Sequence, residues 1–163
     1  MEHDAISINL TSSKGSPALA QALAKLLGSV VVFKFTAHGF HWNVKGKDFR
    51  EYHDFFGAIY EDVDGSIDPT AENILKLGYD APYMLSDFIE LSCLAPRERV
   101  TTGDCHQMAQ ILEADNVKLL QELVGAFDIA NSCNEQGVAN FLAERIDMHQ
   151  KWQWQLRATL NIQ

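Results

Sequence analysis

One histidine and four carboxylates recur along a single stretch of the chain: His53, Glu61, Asp64, Asp68 and Glu72. On a helix turning about 100° per residue they share one arc roughly 100° wide, with Gly57 inside it. The apolar residues of the same stretch, Tyr52, Phe56, Ile59, Val63, Ile67, Ala71 and Ile74, gather on another side. Imidazole and carboxylate together suit iron, manganese or zinc. An ordinary solvated helix face has the same composition, so the arc alone leaves both readings open. Distance limits the first of them. His53 and Asp68 are separated by roughly 22 Å of helix rise and cannot grip one ion within a single chain. They can do so if two copies of the helix pack antiparallel across a two-fold axis, which would generate two equal sites. His41, just upstream, can fold back beside His53.

The elements that must carry these groups are helical. Ser16-Pro17 reads as an N-cap followed by proline in the first turn. Leu19, Leu23, Leu26, Val30 and Phe33 continue at helical spacing, so the first long helix is expected from about Pro17 to about Val44. Asp48 is placed to cap a second helix, which Gly78 closes and Pro69 should bend. Met84 to Leu91 is a short connecting helix. Thr101 or Thr102 caps the third long helix, with Met108, Leu112, Leu119, Leu123 and Phe127 as its stripe. The fourth carries Val138, Leu142, Ile146, His149, Trp152, Leu156 and Leu160. No segment alternates as a strand. The fold expected is all-α: a ferritin-like four-helix bundle with a short extra helix in the long connection between helices two and three. A polar tail, residues 1–15, precedes a single domain, residues 16–163.

Composition narrows the setting. The net charge of −9 disfavours phosphate backbones and favours cations. Its most apolar stretch, Gly28 to Phe35, is about eight residues, far short of a bilayer span, and no signal pattern opens the chain. Three cysteines, Cys93, Cys105 and Cys133, lack metal spacing and fit a reducing cytoplasm as small buried hydrophobes. A soluble cytoplasmic protein follows. Glu-x-x-His, the motif of a di-iron site inside one bundle, occurs nowhere in the chain.

His41-Trp42-Asn43-Val44-Lys45-Gly46, then Phe49, His53, Tyr60, Asp68, Ala71-Glu72 and Leu77-Gly78, strongly resemble the Dps family, the mini-ferritins. Trp154-Gln155-Leu156-Arg157 resembles the family's last helix. The resemblance implies a dodecameric shell that oxidises ferrous iron, often with hydrogen peroxide, and stores the ferric product. It implies ferroxidase sites between two-fold-related subunits, with His41, His53, Asp68 and Glu72 as the catalytic and metal-binding residues. Zinc or manganese are alternative occupants. One position departs from the pattern: Gly57 stands where the family carries an acidic ligand. The site then binds one iron more weakly, keeps a water there, or borrows another group. Glu61, one turn along the arc, and His149 and His38 are the further candidates. Bonded inside the bundle, His149 reads better as a core histidine, and Trp42 reads as a packing residue. Asp128 and Glu135 fit either a pore lining or plain surface. The alternative function is a structural or DNA-associated shell with impaired ferroxidase activity. Some members bind DNA through lysine-rich tails. Here the tail carries Lys14 against Glu2 and Asp4, so DNA binding is not expected.

Overall fold

The computed structural model describes residues 14–94, 99–100 and 103–162. Among them the chain forms five helices and no strand: α1 Pro17–Asn43, α2 Phe49–Lys76, α3 Leu85–Leu91, α4 Cys105–Ser132 and α5 Gln136–Thr159. The four long helices form the bundle. The short α3 lies against α1 in the crossover between α2 and α4. This is the all-helical architecture expected from the sequence.

Each start and stop has a local cause. The Ser16 hydroxyl accepts from the Leu19 amide, and Pro17 follows where its missing N–H costs nothing. At the end of α2 the C-cap is Leu77, with Gly78 beyond it at φ +84°. There the Gly78 and Tyr79 amides bond back to the Leu75 and Ile74 carbonyls, closing the last turn. Neither Thr101 nor Thr102, which lie outside the described residues, begins α4. Asp104 does, accepting from the Gln107 amide at 3.0 Å. Gly103 turns at φ +105°, a conformation no helix contains, so the cap must come after it. α2 runs on through Pro69.

Leu19, Leu23, Leu26, Leu27 and Phe33 of α1 meet Phe56, Ile59, Val63 and Ile74 of α2 in one core with Leu112, Leu119, Leu123, Leu142 and Leu156. α3 approaches α1 closely because residue 28 is glycine. A Cβ there would stand 2.8 Å from the Phe88 carbonyl oxygen and 3.1 Å from the Leu91 Cβ. The Ser29 hydroxyl then accepts from the Cys93 amide and pins the end of the crossover.

Two expectations need correction. α1 is apolar well beyond the eight residues counted, enough by length and composition to cross a membrane, yet more than half of its most apolar window is buried inside the bundle. None of the three cysteines is fully buried: all are free thiols, Cys93 exposed and Cys105 and Cys133 half-buried. The end of the tail is docked, because Gly15 donates its amide to the Leu77 carbonyl and accepts from the Tyr79 hydroxyl.

Candidate metal centre

The antiparallel turn between α1 and α2 sets His41, in the last turn of one, against His53, in the second turn of the other. Their rings stack with centroids 3.7 Å apart and planes 21° from parallel. His41 Nδ1 lies 2.7 Å from the His53 carbonyl oxygen, and His53 Nδ1 lies 2.8 Å from the His41 carbonyl oxygen. A carbonyl only accepts, so each Nδ1 must carry the proton. With Nδ1 as the donor, the metal-binding form of each ring is the tautomer that leaves the lone pair on Nε2. The His41 carbonyl also belongs to the last turn of α1, where carbonyls lack helical partners, so the pair satisfies the helix end as well.

Around this pair the wall is aromatic. Phe49 stacks on His53 at 4.9 Å and Tyr60 meets His41 edge-on at 5.2 Å. His38 lies face to face with Tyr60 at 3.9 Å and 4.1 Å from Trp42. Burial, Lys34 and His41 pull the His38 ring below the usual imidazole value, with Asp64 opposing. Trp42 packs against His38 on one side and is otherwise open: 62% of it is exposed.

Gly57 lies beneath the His41 ring. A Cβ at that position would sit 3.2 Å from His41 Nδ1 and 3.3 Å from Cε1. A side chain at this position would therefore require the His41 ring to shift by a few tenths of an ångström.

Asp68 and Glu72 are exposed, further along α2. Glu61 is exposed beside Tyr60, whose hydroxyl reaches its carboxylate at 3.5 Å. Asp64 pairs with Lys34 at 3.2 Å. Among the described residues, no three His, Cys, Asp or Glu side chains are gathered closely enough to hold an ion. A single chain thus presents two histidines in one place and two carboxylates in another, as the helix rise demands.

His149 is elsewhere, in the bundle interior. It is 1% exposed, its Nδ1 lies 2.6 Å from Asn116 Oδ1, and burial pushes its pKa down to about 3. It is one member of a buried polar layer that the sequence reading missed. Asp62 of α2 accepts two bonds from Arg145 of α5, at 3.0 and 2.8 Å, and one from Trp152 Nε1 at 2.8 Å. Burial alone would raise the Asp62 carboxyl, but the bonds from Arg145 and Trp152 outweigh it and hold the pKa down. Asn116 donates to the His149 carbonyl and to Gln153 Oε1. The available signal was Arg145, which stands between Leu142 and His149 on the apolar stripe of α5. An arginine there requires a buried acid.

The family model for the ferritin-like domain matches residues 20–162. The chain belongs to the ferritin-like family. Within it, the chain is of the Dps type. The crystal structure of a Dps protein from Vibrio cholerae O1, a member of the ferritin-like diiron-carboxylate superfamily, superposes with a TM-score of 0.82 at 30% identity. That match covers 88% of this chain and 89% of the other. The DNA protection during starvation protein of Brevibacillus brevis is 29% identical over 142 residues, 87% of this chain and 94% of that protein. Its counterpart in Helicobacter pylori is 29% identical over 140 residues, 86% of this chain and 96% of that one. Membership of the Dps group supports iron storage and ferroxidase-type chemistry in general terms, and an oligomeric assembly.

Proposed function

We propose that this protein oxidises ferrous iron at a centre shared by two subunits and stores the ferric product inside a closed homo-oligomeric shell, a dodecamer by likeness to its family. The observation that carries the reading is the pair of reciprocal Nδ1 bonds on His41 and His53. Two rings placed with Nε2 as the metal-binding nitrogen, and two exposed carboxylates too far along α2 to join them, make complementary halves of a metal site. An antiparallel two-fold contact would bring His41 and His53 of one copy to Asp68 and Glu72 of the other. Exposed Leu85, Ile89, Phe35 and Trp42 supply apolar surface for such a contact.

Ferrous iron is the substrate. Histidine nitrogen suits the ferrous ion on arrival, and hard anionic oxygen from Asp68 and Glu72 favours the ferric product. The near-parallel rings of His41 and His53 cannot both point in-plane at one ion, so they suit two ions side by side. With peroxide as oxidant, two ferrous ions each give up one electron. The peroxide takes both electrons and two protons and leaves as two waters. Consuming iron in pairs avoids releasing hydroxyl radical, which makes storage protective. The setting proposed is the cytoplasm. With a net charge of −9, DNA is not expected as a partner.

Asp68→Asn tests the reading. The side chain is exposed, so assembly should survive the change. Ferrous oxidation followed by absorbance should slow at least tenfold while light scattering still reports the intact shell. An unchanged rate, or a stable monomer in the unaltered protein, would remove the basis of the proposal.

A further inference from the structure

Gly57 leaves the proposed centre one ligand short, and a neighbouring side chain has a nitrogen to spare. His38 lies one helical turn before His41, on the same side of α1. Its ring is firmly placed, stacked on Tyr60 with planes 15° apart and covered by Trp42. Its Nδ1 is buried and has no hydrogen-bond partner among the described residues. Buried ring nitrogens are normally satisfied, so an orphan beside two metal-ready histidines points to a partner that the chain itself does not supply. The geometry permits one. With metal–nitrogen distances near 2.1 Å, a ring centroid lies about 3.2 Å from its ion, so two rings on one ion are at most about 6.4 Å apart. The His38 and His41 centroids are 6.2 Å apart, just inside that limit, so an ion shared in this placement would have the two nitrogens nearly opposite each other across it.

We propose that His38 is a third nitrogen ligand of the metal centre, sharing an ion with His41 and standing in for the acidic group absent at Gly57. The proposal rests on the shared-centre reading above. It turns the subunit's contribution into an all-histidine face, His38, His41 and His53, with oxygen only from Asp68 and Glu72 of the mate. Such a centre favours divalent ions with an affinity for imidazole, such as zinc, cobalt and ferrous iron, over ions that demand oxygen alone.

The test is a titration of the assembled, metal-free protein with cobalt(II) alone, read from its visible absorption bands and apparent Kd. His38→Phe keeps an aromatic ring against Tyr60 and removes both nitrogens. His53→Ala is the reference for the centre as a whole. The expected result is a loss of tenfold or more in cobalt affinity in both variants, with weaker visible bands and the shell intact. If His38→Phe binds cobalt within twofold of the unaltered protein while His53→Ala does not, His38 is no ligand and the inference fails. The same holds if His38→Phe loses binding and His53→Ala keeps it, because His38 would then serve a different site. If neither variant loses affinity, the shared-centre reading itself fails, and the inference with it.

Discussion

Gly57 is informative because it affects two properties in opposite directions. Alanine at this helical position should gain up to about 1 kcal/mol of helix stability. Its Cβ would press on the His41 ring at 3.2 Å, so the ring must give by a few tenths of an ångström, which strains its bond to the His53 carbonyl. Gly57→Ala is therefore expected to raise or preserve the melting temperature while weakening zinc affinity several-fold in a calorimetric titration. A carboxylate put back at this position would require the same small shift of the His41 ring. His149 gives the second residue-scale expectation. Its pKa in the fold is about 3, below the ordinary 6.5, so the unfolded chain binds the extra proton between these values. The stability it confers is complete above pH 6.5 and is lost as pH falls toward 3. Between pH 7 and pH 5 that loss is about 2 kcal/mol. Urea unfolding of the unaltered protein should show this decline, and His149→Gln should be less acid-sensitive by about that amount. The arc His53, Asp68 and Glu72 was legible from spacing alone, because exposure on a helix follows the 3.6-residue period. The reciprocal histidine bonds and the orphaned His38 nitrogen were not, because they depend on how a five-residue connection aligns two helix ends.

At the scale of elements, sequence periodicity located every long helix, and the failures came where local chemistry competes. Thr101, Thr102 and Asp104 are all good caps, and only the backbone at Gly103 decides among them. α2 packs chiefly along α1, and its polar tie to α5 is the Asp62–Arg145 pair with Trp152. Arg145 is 8% exposed, so removing its partner leaves a charge and an indole N–H stranded in the bundle. Asp62→Ala should cost about 3–5 kcal/mol in urea unfolding, because the uncompensated charge costs more than the pair contributes. A change below 1 kcal/mol would mean that water reaches Arg145 and the layer is not sealed. This layer escaped the sequence reading because Asp62 lies within an acidic segment where an exposed carboxylate is the ordinary expectation.

For the whole molecule, the central claim is that no chain holds a complete centre and that two chains hold two. Subunit complementation tests it most directly. His53→Ala breaks the histidine half and Glu72→Ala breaks the carboxylate half, so shells built from either variant alone should oxidise ferrous iron only slowly. Co-assembled shells pair the two variants across many of the two-fold interfaces. Each mixed interface then holds one centre with both defects and one with neither. With random pairing, roughly a quarter of all centres are whole, and the initial rate of ferrous oxidation should recover to roughly a quarter of that of the unaltered protein. Co-assembled shells no faster than the two variants measured separately would contradict the account, since the histidines and carboxylates would then have to act from the same chain.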